Sequence, residues 1–584
     1  LVALPLAWVI VPQPLRAQEV TASIEEVLLQ EARVGTNDES LLKYLQRLSP
    51  SDEDLLDPDR LIRQLSAPAY QQREDAQRRL IALGPVALPA LQPATKNADS
   101  EVARRAKVCA ERIERTADQL PLAAVRLLLR RKAVGAAEAF LRYLPYSADP
   151  EVEEEVYYGL EKLVGPSGRG CPALAAALND RLPARRAVAG CLLGRIGDAE
   201  QRAAVRKLLA DASPVVRLRA AQGLLAAADG ASLPALVQLL DEPSAEIAWQ
   251  AEELLHWVAG KEAPAVAVGA ATAGERKACR AAWEGWLSRC ATGVNWAQVG
   301  AQVHAPRLLL VMDAPRRYEP DGSRVWLCGC DGKPRWVLRA SDAQDARWSG
   351  AGVLVAEGAP ASRISQRGLD GSVGWKLDLE GDDTRGAHAA ERPTPDCCAR
   401  LLNGSLLVSY GMRVVRGYSP YGESQFVYSM LRKEPPSFPF KAYQFPYGLA
   451  ACLESSFRVH SVVAVRPRDG KVILRLATNI NEDSLFGSLV VYRGDGTYEV
   501  NTMSGRYYEV GAADGKVARA TTRGPGVGFV TRLHDGSLLT IWPVSTANRV
   551  MELSGENRVT WGASADRLER VRVCFPLVSF GFVR

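Results

Sequence analysis

The second half of the chain is punctuated by six short turns, each built around a glycine. They are Asp331-Gly332-Lys333, Asp370-Gly371-Ser372, Tyr421-Gly422-Glu423, Asp469-Gly470-Lys471, Asp514-Gly515-Lys516 and Ser554-Gly555-Glu556. Successive glycines stand 39, 51, 48, 45 and 40 residues apart. Asp-Gly supplies the positive φ of a tight hairpin turn, and the runs between the turns are β-rich. A second phrase, Arg400-Leu401-Leu402-Asn403-Gly404-Ser405-Leu406-Leu407-Val408, returns as Arg532-Leu533-His534-Asp535-Gly536-Ser537-Leu538-Leu539-Thr540. Repeated strand units bury their apolar faces only by stacking on their neighbours. The pattern therefore demands a β-propeller or a β-solenoid and excludes a single compact enzyme domain.

A unit of about 40–45 residues with four strands is a propeller blade. Six turns predict about six blades. Trp336, Trp375, Phe426, Ile473 and Trp561 follow the turns, where they would fill the gaps between neighbouring sheets. The final run Val571-Arg572-Val573-Cys574-Phe575 is placed to pair with an early strand and close the ring, which removes exposed strand edges. In the unit around Ala451 to His460, Glu454-Ser455 stands where the turn is expected.

The first half repeats with helices. Ile24, Val27 and Leu28 share one helical face, and Leu41, Leu42, Leu45 and Leu48 continue the pattern. A helix over Arg73 to Leu83 is expected to stop at Gly84-Pro85, with a second over Val86 to Leu91. Asp99-Ser100-Glu101-Val102, Asp149-Pro150-Glu151-Val152, Leu182-Pro183-Ala184-Arg185, Ser213-Pro214-Val215-Val216 and Ser244-Ala245-Glu246-Ile247 read as helix starts. Aligned at Ser100, Pro150, Pro183, Pro214 and Ala245, they step by 50, 33, 31 and 31 residues, the period of stacked two-helix repeats. Ala187, Ala189, Gly190, Ala220, Ala221 and Gly223 supply small residues for close helix approach. Glu275 to Leu287 reads as a connector helix whose Trp283 and Trp286 pack a domain junction.

Ser213-Pro214-Val215-Val216-Arg217-Leu218-Arg219-Ala220-Ala221 resembles the HEAT repeat, whose second helix opens Asp-Pro-x-Val-Arg-x-x-Ala. The resemblance covers residues 57–260 and implies a surface that binds proteins. The strand phrases, with Asn548-Arg549-Val550-Met551-Glu552-Leu553, resemble quinoprotein-like and NHL-like propellers. The combination resembles a group of exported proteins from planctomycete-type bacteria whose function is unassigned. The expected organisation is a signal-like segment (1–17), a helical segment (18–56), an all-α HEAT-repeat solenoid (57–260), a helical connector (261–304) and an all-β propeller (305–584).

At 584 residues the chain is too long for one core. Its net charge of +5 comes from interspersed basic and acidic residues, without the basic stripe of a nucleic-acid binder. Leu1 to Val11 is apolar and Leu15-Arg16-Ala17-Gln18 follows, which resembles a secretory signal with Ala17 at the cleaved bond. The expectation is a periplasmic or extracellular protein with no membrane span after signal removal. Eleven cysteines include no Cys-x-x-Cys pair.

The search for chemistry yields no catalytic, cofactor-binding or metal-binding residues. His256, His304, His388, His460 and His534 are scattered without metal-ligand spacing. No Gly-x-Ser-x-Gly elbow, phosphate loop or dinucleotide fingerprint occurs. Glu380, Asp382 and Asp383 read as a solvated loop. Cys397-Cys398 resembles the adjacent pair that forms a strained ring in quinone-dependent dehydrogenases, but the regular Trp repeats of those enzymes are absent. The leading expectation is a non-enzymatic scaffold whose partners are proteins or envelope polymers. The alternatives are a quinoprotein-like or hydrolytic enzyme with its site at the propeller mouth, and a structural envelope component.

Overall fold

The computed structural model describes residues 23–116, 119–165, 171–300, 307–313, 322–329, 331–350, 352–358, 361–379, 394–410, 414–420, 422–429, 443–445, 447, 449–456, 459–466, 469–480, 489–492, 496–501, 506–511, 515–522, 530–532, 538–544, 547–553, 559–563 and 571–579. The signal-like segment 1–17, the second copy of the Asn-Gly-type turn at 533–537 and the turn at Gly555 lie outside them.

Helices occupy the first half. Five of them, Ser100–Thr116, Pro150–Val164, Pro183–Ile196, Pro214–Ala226 and Ala245–Ala259, begin at the five positions that the sequence alignment uses. Asp99 and Asp149 cap their helices, their carboxylates accepting from the N–H groups of Glu101 and Val102 and of Glu151 respectively. Ser213 and Ser244 make no side-chain cap. In the first case Asp211 stands in, accepting the Ser213 N–H at 2.8 Å. Arg186 holds Asp211 at 2.8 Å, and Arg217 meets Glu242 one repeat later. The same two arginines donate to the loop carbonyls of Asp180 and Asp211 at 2.8 and 2.7 Å. These ion pairs tie each hairpin to the next.

The small residues set the helix spacing. A Cβ on Gly194 would lie 2.9 Å from the Gly223 backbone, and one on Gly223 would meet the Cys191 carbonyl. The helices Pro183–Ile196 and Pro214–Ala226 thus pack backbone to backbone. The first expected hairpin helix runs Tyr70–Leu83 and stops at Gly84, whose φ is +70°. A short 3-10 turn then leads into Leu88–Ala94. The connector helix is Ala273–Cys290, longer at both ends than its apolar pattern implies.

The second half forms six four-stranded antiparallel sheets among the described residues. Five are simple meanders in chain order. The first instead takes its inner strand from the end of the chain, with Val571–Ser579 pairing antiparallel with Arg307–Asp313. The expected closing run does close the ring. The inner strand Ala343–Trp348 of the second sheet lies beside Val571–Ser579 on one side and Pro395–Arg400 of the third on the other. Pro395–Arg400 in turn lies beside Tyr443–Phe445 of the fourth.

The glycine turns join the third and fourth strands of their sheets. Gly332, Gly371, Gly422, Gly470 and Gly515 all have φ between +68° and +91°, a region that glycine enters without penalty. Gly371, Gly422, Gly470 and Gly515 also sit where one sheet meets the last strand of the preceding one. Cβ atoms on Gly371, Gly422 and Gly470 would reach Leu338, Leu377 and Phe426, at 3.4, 3.0 and 3.5 Å. Trp336, on the first sheet, donates to the Leu369 carbonyl beside the second at 2.8 Å. Phe426 packs with Val463 and Val465 of the fourth sheet. Glu454-Ser455 is not a turn. It belongs to the strand Leu449–Ser456, which pairs with Val459–Val465.

The two halves share their cores. Leu and Val side chains from Ile24 to Leu224 are contiguous with Tyr447, Leu474, Tyr492, Tyr498 and Val510 of the fourth and fifth sheets. The last repeat and the connector are contiguous with Leu308, Val325, Trp336 and Val355 of the first and second.

Candidate binding face

Among the described residues the helical array meets the propeller at two places. At the first, the N-terminal helix Ile24–Glu31 and the helix Leu120–Arg130 dock on the fourth and fifth sheets. Ser23 and Glu26 form a reciprocal capping box that starts the N-terminal helix. Its Glu25 is fully buried and accepts the hydroxyls of Tyr447 at 2.6 Å and Tyr492 at 2.5 Å. Arg130 donates to its other oxygen at 2.8 Å. Burial pushes the Glu25 carboxyl up, but the Arg130 charge and the two hydroxyls outweigh it and hold it below the usual range. Arg126 then links Tyr447, at 3.1 Å, to the buried Glu155, at 2.9 Å. At the rim of this dock, Glu31 pairs with Arg466 at 3.0 Å and Lys471 at 2.5 Å.

The second dock joins the helix Ala245–Ala259 and the connector to the first two sheets. Trp249 packs against Trp336 and Trp348, with centroids 6.1 and 5.6 Å away. Glu253, one turn on, receives Arg335 at 3.2 Å with both side chains buried. Trp283 and Trp286 stack edge to face at 5.4 Å beneath them. Trp283 and Trp286 pack the domain junction, as expected from the sequence.

Between the docks the same side of the array carries a different set of groups. Successive repeats place Arg219 and Gln250, 31 residues apart, in equivalent positions. Arg219 donates to Gln222 at 3.0 Å and Gln250 at 3.1 Å, lies 5.8 Å over the Tyr157 ring and reaches Glu153 at 3.8 Å. Glu153 is 46% exposed, so this stretch of the face is open. Burial raises the carboxyl of Glu246, against the pull of Arg219. Nearby Glu151 is pushed up to about 7 by burial and by the Asp149 charge. Glu151, Glu153, Arg219 and Glu246 are partly exposed, and three of these four are acidic, while Tyr157, Gln222 and Gln250 are buried. Nothing among them is arranged as a nucleophile with a base.

His256 is buried edge-on against Trp283 at 5.1 Å. His460 is buried in the fourth sheet. His304, His388, His534, Glu380, Asp382 and Asp383 lie outside the described residues. Cys397 and Cys398 are free thiols. They follow one another along the strand Pro395–Arg400, so their side chains leave opposite faces. Cys397 meets the Ser409 hydroxyl at 3.2 Å, and Cys398 packs among Leu354, Ala356 and Val408. Burial pushes the Cys397 thiol up to about 11, the opposite of what a reactive cysteine needs. Among the described residues no group of three or more His, Cys, Asp or Glu is placed to hold a metal ion, and no helix is long and apolar enough to cross a membrane.

Apart from the junction tryptophans Trp283 and Trp286, sequence reasoning missed both docks and the open face. Glu25, Arg126 and Arg219 have the spacing of ordinary surface charges. The one legible hint was Glu252-Glu253, two acids inside the apolar run from Ala248 to Val258.

HEAT repeats match residues 171–256. No curated protein matches the chain. A protein of unknown function from Bacteroides caccae is similar in structure at 13% identity, over 47% of this chain and 99% of its own, with a TM-score of 0.35. BamB from Moraxella catarrhalis is similar at 16% identity, over 41% and 66%, with a TM-score of 0.23. The Cps50 (Swd1) β-propeller domain of Myceliophteria thermophila is similar at 15% identity, over 41% and 72%, with a TM-score of 0.28.

Proposed function

We propose that this protein is a non-enzymatic interaction scaffold whose partner binds the open stretch of the helical array between its two docks on the propeller. One observation carries the reading. The same face of the array is fastened to the propeller through Glu25 and Glu253 and left partly exposed at Glu153, Arg219 and Glu246 between them. Fastening both ends fixes the curvature of the array, so a partner meets a preorganised surface and loses less ordering entropy on binding. The quinoprotein-like and NHL-like phrasing of the blades is strand grammar in this reading, without a cofactor.

The test is co-purification from the native host. Arg219→Glu should abolish recovery of a stoichiometric protein partner, whereas Arg78→Glu, on the exposed side of the helix Tyr70–Leu83, should not. A partner retained equally by both variants would overturn the reading. We also propose export, on the strength of the apolar Leu1 to Val11 run followed by Ala17. N-terminal sequencing of the protein recovered from its host should begin at Gln18, and an intact upstream segment would contradict it.

A further inference from the structure

The second dock contains one acid more than its neighbours can neutralise. Glu252 is wholly buried. Its Oε1 accepts the Val268 N–H at 3.0 Å and faces the Cys279 thiol at 3.6 Å, while its Oε2 has no partner. The Nε2 of His256 stands 3.9 Å from Oε1 and is also unpartnered. The nearest guanidinium, Arg335 of the first sheet, is already taken by Glu253 at 3.2 Å and Asp331 at 3.0 Å. Lys333 reaches only Asp331, at 3.9 Å. From the connector, Cys279 and Trp283 close the site and bring no charge. Among the described residues the site thus sets Glu252, Glu253 and Asp331 against the buried Arg335 and the exposed Lys333.

We propose that this junction is a pH-sensitive latch, closed while the Glu252–His256 pair holds a proton and loosened when that proton leaves. Losing it places an unpaired negative charge beside Glu253 in the packed seam between the last repeat and the first sheet. A buried charge without a partner is among the costliest defects a core can hold. The seam is the element that yields, because Trp249 of the last repeat meets Trp336 and Trp348 of the first two sheets there. Two side chains set the range. Burial pushes the Glu252 carboxyl up to about 7, despite Arg335. Burial and the Arg335 charge push His256 down to about 3, so His256 takes up no proton of its own near neutrality. A carboxyl raised in the folded state contributes stability that is complete below its unfolded value and lost as pH rises through the folded one. The latch therefore opens upward through neutrality.

The experiment is hydrogen exchange of the full chain at pH 6 and 8.5, corrected for intrinsic rates, with tryptophan fluorescence followed across the same range. Amides of 262–290 and 323–340 should lose protection at least tenfold at the higher pH, while 24–31 and 120–130, at the other dock, should not. Glu252→Gln should abolish both the loss and the fluorescence step. His256→Gln should keep them, and serves if the first variant folds poorly. No fluorescence step in the native chain, or an undiminished one in folded Glu252→Gln, would overturn the proposal.

Discussion

Glu25 shows how much a single side chain can do here and why its role is hidden in the sequence. In Ser23-Ile24-Glu25-Glu26 it looks like one of two acids in a helix's first turn. In the fold Glu26 does the capping, and Glu25 turns inward to take two tyrosine hydroxyls and an arginine. Which of two adjacent acids is buried depends on partners more than 400 residues away, and local spacing carries no trace of them. Replacing Glu25 with Gln strands Arg130 and should cost about 3 kcal/mol at pH 7, measured by denaturant unfolding. The carboxyl is held low in the folded state, so its contribution is complete above the unfolded value of about 4.3 and is lost as pH falls through the folded one. The cost of the variant should therefore shrink toward pH 3. Tyr447→Phe removes one donor to Glu25 and one acceptor for Arg126, and about 1–3 kcal/mol should go with it.

Elements were more legible than contacts, because their signals are local. The starts of five helices stood in the chain as Asp-Ser, Asp-Pro, Leu-Pro, Ser-Pro and Ser-Ala, since the proline that opens three of them and the aspartate that caps two act within one turn. The glycine turns were equally visible, because positive φ is a local demand. Their second use, as seats for the neighbouring sheet, was not. Gly515 meets both demands, with φ at +68° and no room for a Cβ against the Ala477 carbonyl. Gly515→Ala should cost about 2 kcal/mol or more. In the array, Gly223→Ala would press a methyl into the Cys191 carbonyl and should cost about 1–3 kcal/mol. Thermal unfolding of each variant checks both. Glu454-Ser455 shows where local reading failed: two polar residues suited to a turn continue a strand because the register with Val459–Val465 extends past them.

At the scale of the whole molecule, repeat periods showed two architectures but not that they share cores. Leu474 and Tyr492 belong to the same apolar cluster as Leu28 and Leu128, so neither half buries its surface fully without the other. Differential scanning calorimetry at pH 6 should give one cooperative transition. Two resolved transitions would show that the halves are independent.

The helical array is fastened at both ends and open between, and the open part is the proposed binding face. Carbodiimide labelling of carboxylates, read by mass spectrometry, tests it most directly. In the free chain Glu153 should be modified while Glu25 and Glu253 are spared, and in the complex isolated from the host Glu153 should become protected. Equal labelling of Glu153 in the free and bound chains, or modification of Glu25 and Glu253 in the folded free chain, would contradict it.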